Sequence, residues 1–227
     1  MLTPEEHDEI VAAMVENPVG FLETTIIRIG GEPNEKWNNK TPAAPRRFSL
    51  QKSRKYSSGK TCALTEAIGV DASIVNGRLE AFYLPWASGR KLSLLLPSNS
   101  TAKLFFTAAL TGCAVGFWRA PDSGAKVYHV NETGDGAAQK MQATLEKAIN
   151  KKVGKDGAPK AITRTPGGIF NMANYGWDDS SKLQRGEQRL GGGVYGVRRE
   201  EAWRFYGQRL VIDWRGSWEV KEVIAIG

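Results

Sequence analysis

Histidine and cysteine are scarce in this chain. Each occurs twice, at His7 and His129 and at Cys62 and Cys113. Two distant histidines and two distant cysteines do not supply the clustered ligands of a zinc site. Two cysteines also make no disulfide framework. No Gly-x-Ser-x-Gly elbow occurs, which argues against a Ser–His–Asp hydrolase built on His129. Gly59-Lys60-Thr61 resembles the end of a phosphate loop, but Arg54 stands where that motif requires its first glycine. No apolar run approaches membrane-spanning length. The opening residues, Met1-Leu2-Thr3-Pro4-Glu5-Glu6, are acidic and lack the apolar stretch of a secretory signal. No repeat period, heptad or low-complexity tract is present, and nothing singles out a pair of carboxylates for glycosidase chemistry.

What is there is a chain of 227 residues, 41% of them hydrophobic, with a formal charge of +7. That length and apolar content fit one large domain or two small ones, and no composition break forces a split, so 1–227 is read as a single domain. The charge favours acidic partners. Much of it lies in a polar, Pro-rich stretch over 30–61. There Lys36, Lys40, Arg46, Arg47, Lys52, Arg54, Lys55 and Lys60 run without an intervening acid, interleaved with Trp37, Phe48 and Tyr56. Aromatics among cations suit a single-strand nucleic-acid groove, and a long basic loop equally suits docking onto an acidic protein. The protein substrate is favoured, nucleic acid stands second, and no membrane partner is expected.

Helix signals open the chain. Thr3, Pro4 and Glu6 make a capping box, and Ile10, Val11, Met14 and Val15 form an apolar stripe ended by Asn17-Pro18. His7 falls on this helix among carboxylates and reads as a solvated residue. Residues 21–29 read as a strand, 62–70 as a short helix and 71–77 as a turn. Strands over 78–84 and 91–96, joined by Pro85-Trp86-Ala87-Ser88-Gly89, read as a hairpin. A strand over 103–109 follows. Met141, Leu145 and Ile149 mark a helix over 135–151, with lysines at its C-terminal end. Residues 169–172 read as a strand, and 174–179 as an aromatic loop over a cleft. Four strands close the chain, over 193–198, 202–206, 209–214 and 218–226. Trp203, Trp214 and Trp218 read as core or sheet-face residues. Short strands with glycine punctuation indicate an antiparallel meander or sandwich.

The chemistry concentrates in 105–131. Cys113 and His129 sit on neighbouring strand-like runs joined by Ala120-Pro121-Asp122-Ser123-Gly124, strong turn chemistry. A hairpin there folds Val127-Tyr128-His129-Val130 beside Cys113-Ala114-Val115-Gly116, so that thiol and imidazole face each other across adjacent strands. A nearby imidazole can lower a thiol pKa to roughly 3.5–7.5. Gly112 permits a tight backbone that would aim the Cys113 amide at a developing oxyanion. The bland alternative stands beside this: a small buried thiol and a structural histidine. A papain-type protease sets its histidine far downstream of its cysteine, whereas here the two are separated by a hairpin.

Leu110-Thr111-Gly112-Cys113 followed by Val127-Tyr128-His129-Val130 resembles the pattern of cytotoxic-necrotizing-factor-type glutamine deamidase toxins. In that family a Leu-Ser-Gly-Cys motif carries the nucleophile and the histidine follows on the next strand. Thr111 replaces the serine and keeps its hydroxyl. The length is similar to the single-domain branch that includes Burkholderia lethal factor. The resemblance implies an α+β, β-rich fold: a sandwich of mixed and antiparallel sheets flanked by helices and long loops. It implies a toxin or virulence effector, made in a bacterial cytoplasm without a signal peptide and acting in host cytosol. Its reaction would convert glutamine to glutamate in a host protein, a Rho-type GTPase or a translation-initiation helicase, with no metal or cofactor. Cys113 would be the nucleophile and His129 the acid–base. Gly112, Thr111 and Thr107 are oxyanion or support candidates. Arg46, Arg47, Arg54, Lys55 and Trp177 are docking candidates, and the chain is expected to be a monomer. The family's third group is in some members a main-chain carbonyl, which has no sequence signature; nothing supports Asp122 or Asn131 for that role. Transglutamination or another cysteine hydrolysis with the same pair, or a basic nucleic-acid-binding module, are the alternatives.

Overall fold

The first helix begins where the capping box predicts. In the computed structural model, which describes residues 3–29, 44–52, 60–66, 79–119, 124–150, 168–175, 187–200, 202–213 and 218–226, helix α1 spans Pro4–Glu16. The Thr3 hydroxyl accepts from the Glu6 N–H at 3.2 Å, and the Glu6 carboxylate accepts from the Thr3 N–H at 2.9 Å. Asn17 ends α1 and at once starts α2 (Pro18–Thr24), its side chain accepting from the Gly20 N–H at 3.1 Å. The strand expected over 21–29 is therefore helical in its first half, and only Thr25–Ile29 forms strand β1. Asn-Pro marks a helix stop, but an Asn cap with Pro in the first turn is equally a start.

Two sheets carry the fold. The larger is mixed, in the order β1, β3 (Lys60–Glu66), β2 (Arg46–Lys52), β4 (Leu79–Leu84), β6 (Leu104–Thr107), β10 (Glu187–Arg199), β11 (Ala202–Asp213) and β12 (Trp218–Ile226). β1 pairs with β3, and β4 with β6, in parallel. The smaller is antiparallel, in the order β5 (Arg90–Leu96), β8 (Ala125–Asn131), β7 (Ala114–Arg119) and β9 (Ile169–Phe170). Helix α3 (Ala137–Asn150) and the short α4 (Met172–Tyr175) complete the described elements. The architecture is α+β and β-rich. Among the described residues no helix is long and apolar enough to cross a membrane.

Side-chain alternation sets the layers. On β4, Phe82 and Leu84 belong to one core cluster, whereas Leu79, Ala81 and Tyr83 belong to the other. The same parity sends Phe105 of β6 and Trp203 and Phe205 of β11 toward the small sheet. It turns Leu104, Phe106 and Tyr206 toward Met14 of α1 and Leu22 of α2. Phe117 of β7 meets Phe205 with ring centroids 4.0 Å apart, which locks sheet to sheet. On the far face of the small sheet, Met141 and Leu145 of α3 are buried, and a Cβ on Gly116 would lie 3.0 Å from Leu145. The order is helix, large sheet, small sheet, helix. Gln208 is a polar exception in this core. Its side-chain nitrogen donates to the Leu22 and Thr25 carbonyls at 2.5 and 2.8 Å, and its oxygen accepts from the Tyr195 hydroxyl at 2.9 Å.

Several expectations are corrected. Within the 30–61 stretch read as loop, Arg46–Lys52 is a strand between β3 and β4, because Phe48 supplies a core contact. Residues 30–43 and 53–59 lie outside the described residues. The helix expected from Cys62 is instead strand β3, paired with both β1 and β2. The turn expected over 71–77 lies outside the described residues. β4 and β5 are not a hairpin: they belong to different sheets, and the chain between them is a crossover. The two strands expected over 202–206 and 209–214 merge into β11, through Gly207. A side chain at Gly207 would run into the ring of Phe170, which is itself 1% exposed. The glycine therefore marks close packing and no turn. Gly207→Ala is accordingly expected to destabilise the protein by about 1–3 kcal/mol, read by urea denaturation. An unchanged midpoint would show that Phe170 does not occupy that space.

Candidate functional site

The candidate site lies where the chain passes from the large sheet to the small one. β4 and β6 are parallel neighbours whose last residues, Leu84 and Thr107, are register partners. Both strands thus end together, and each continues into the small sheet, β4 through 85–89 to β5 and β6 through 108–113 to β7. The two crossovers leave side by side, tied by the Ala108 N–H donating to the Leu84 carbonyl at 3.2 Å. Further along, Leu110 exchanges two backbone hydrogen bonds with Gly192 of β10, at 2.7 and 3.0 Å. Gly112 then takes φ +98°, a left-handed conformation that favours glycine, and Cys113 follows immediately before β7.

His129 comes back beside it on β8. The register pairs Ala114 with Val130, Val115 with His129 and Gly116 with Tyr128, so the two runs are antiparallel neighbours, the arrangement expected from the sequence. The turn residues 120–123 lie outside the described residues. Val115 and His129 are register partners and share one face, and Cys113 stands two residues before Val115, immediately ahead of β7. Phe117 lies on the same face and packs on Phe205 of the large sheet, so this face looks into the sandwich. Thiol and imidazole are accordingly buried, at 4% and 1% exposure.

Burial dominates the electrostatics. Desolvation pushes the Cys113 thiol up to about 11, against a smaller opposing pull from its hydrogen bond with the Thr111 backbone. Desolvation likewise lowers His129 to about 4, opposed by the Leu84 and Pro85 carbonyls at the start of the other crossover. Those carbonyls favour the imidazolium, but neither ring nitrogen has a partner in full hydrogen-bond geometry. A thiolate lowered by its imidazole, expected from the sequence, is thus not the resting state. In water-poor surroundings two neutral groups cost less than a separated ion pair, so both are neutral near pH 7.

The other candidates divide. Thr111 is exposed and Gly112 half-buried in the turn before the thiol. Thr107 is buried at the end of β6, and its hydroxyl oxygen accepts from the Val194 N–H at 3.1 Å, tying β6 to β10. Asn131 is half-buried on β8 and shares the parity of His129. Arg46 and Arg47 are on strand β2 and not on a loop, with Arg47 exposed. Arg54, Lys55, Asp122 and Trp177 lie outside the described residues. The carbonyls of Leu84 and Pro85 were missed, because a main-chain acceptor has no residue type to betray it.

The molecule is therefore an α+β sandwich of a large mixed and a small antiparallel sheet, with a buried thiol and imidazole at the seam between them. No protein-family model matches the sequence, and no curated protein matches it. Among solved structures it is similar to the crystal structure of the C-terminal domain of CNFy from Yersinia pseudotuberculosis. That distant likeness has a TM-score of 0.44 and 9% sequence identity, over 99% of each chain.

The raised thiol makes a direct test. An acid held above its ordinary range stays protonated as pH rises, so Cys113 is a protonated thiol at pH 7. Alkylation of Cys113 by iodoacetamide, followed by peptide mass spectrometry, is expected to be slow at pH 7. It should accelerate about tenfold per pH unit through pH 9. A rate already at its plateau near neutrality would mean an ion pair.

Proposed function

We propose that this chain is a cysteine-dependent glutamine deamidase acting on a host protein, a toxin or effector of the cytotoxic-necrotizing-factor type. The observation that carries the reading is Cys113 two residues before the Val115–His129 register pair at the sheet seam, next to the paired ends of β4 and β6. It supports reading the Leu110-to-Cys113 and Val127-to-Val130 motifs as parts of one site.

The chemistry follows from the neutral resting pair. As the Cys113 sulfur attacks the carboxamide carbon, His129 takes the thiol proton, and the carbonyl π electrons move to oxygen. The Cys113 amide, set by the left-handed Gly112, is the donor assigned to that oxyanion. The imidazolium, stabilised by the Leu84 and Pro85 carbonyls, then protonates the nitrogen, the carbon–nitrogen bond breaks and ammonia leaves a thioester. His129 next removes a proton from water attacking the thioester. Collapse expels the sulfur, which recovers its proton, and the product is glutamate. Charge exists on the pair only while the oxyanion exists, so the site stabilises the transition state more than the ground state. An amine in place of water would give transglutamination by the same steps.

The test is a eukaryotic cell lysate treated with wild-type protein or Cys113→Ser and examined by peptide mass spectrometry. A dominant glutamine-to-glutamate conversion is expected with wild type alone, with activity in the variant lower by at least about a thousandfold. Equal profiles in both arms, with ample coverage of GTPases and translation factors, would overturn the proposal.

A further inference from the structure

Cys113 and His129 are almost fully buried, and the two crossovers leave the large sheet side by side at this end of the sandwich. Trp86 sits on one of these crossovers. It is bonded directly to Pro85, one residue past the end of β4, where Leu84 accepts from the Ala108 N–H of the crossover that leads to Cys113. Its side chain is 37% exposed, although Trp203 is buried and Trp118 and Trp218 are half-buried. Leu95 is the other exposed large hydrophobic residue among those described. It pairs with Lys126, three register positions beyond the Leu92–His129 pair, and is remote from this end.

The backbone presenting Trp86 is fixed. Ala87 beside it is buried, its carbonyl accepts from the Arg90 N–H at 3.3 Å, and Gly89 closes the turn at φ +62°. An amphipathic ring with two side-chain torsions on a pinned turn loses little entropy on contact, which is why tryptophan is enriched among residues that dominate binding energy. Resting on the deamidase reading, we infer that Trp86 is the specificity-determining anchor for the substrate protein. It packs on an apolar side chain of that protein next to the reactive glutamine and thereby aligns the carboxamide with Cys113. The partner is thus a folded protein with its glutamine beside an apolar surface residue.

The experiment measures deamidation of the protein substrate by wild type, Trp86→Ala and Trp86→Phe, with the pH profile of Cys113 alkylation recorded for each. Trp86→Ala is expected to raise KM for the protein at least about tenfold, with kcat within about twofold. Trp86→Phe should recover most of the loss, and the alkylation profile should be the same in all three. Turnover of the protein by Trp86→Ala at wild-type KM would overturn the inference. A loss confined to kcat with a displaced alkylation profile would also overturn it, since Trp86 would then act through Pro85 and His129. Absence of any Cys113-dependent conversion by wild type would instead overturn the deamidase reading, and this inference with it.

Discussion

The parallel pairing of β4 with β6 is the constraint on which the candidate site depends. Because Leu84 and Thr107 are register partners, both strands run out of the large sheet at one level and deliver two crossovers to one place. One brings the Leu84 and Pro85 carbonyls, and the other brings Gly112 and Cys113. The small sheet then returns His129 beside the thiol through antiparallel pairing of β7 with β8. Three segments distant in sequence are thereby held by backbone ladders rather than by side-chain contacts, which suits a site needing fixed geometry.

Burial at that seam has a second consequence. It removes the resting ion pair familiar from exposed Cys–His sites and leaves a thiol raised to about 11 beside an imidazole lowered to about 4. In the proposed reaction, proton transfer from thiol to imidazole therefore accompanies attack and does not precede it. The Leu84 and Pro85 backbone pulls the other way and favours the charged ring, which in the proposed reaction forms only during attack.

Local signals were readable wherever a residue type has a single mechanical meaning. Thr3, Pro4 and Glu6 set the first helix, and Met141 and Leu145 set α3. The pairing of β7 with β8 followed from turn residues and apolar runs, which set the Cys113 and His129 segments side by side. Where one residue type serves two purposes, the reading failed. Asn17-Pro18 stopped one helix and started another, and Gly207 made room for Phe170 rather than a turn. Pro85-Trp86-Ala87-Ser88-Gly89 has hairpin composition, but the choice between pairing and crossing to a second sheet is made by distant strands. The carbonyls at His129 and the neutral state of the pair depend on that crossing, and so were not legible.

The central claim is that His129 is buried at the sheet seam beside Cys113. The most direct measurement is the imidazole nitrogen NMR spectrum of His129, followed from about pH 8 to about pH 3 in wild type and in Cys113→Ser. A base whose pKa is depressed by burial stays neutral until the pH falls well below its ordinary value. The signals should therefore be those of a neutral ring down to about pH 5, with protonation near the value of about 4, and they should move when Cys113 is replaced. A ring that titrates near pH 6.5 and does not respond to Cys113 would contradict the account.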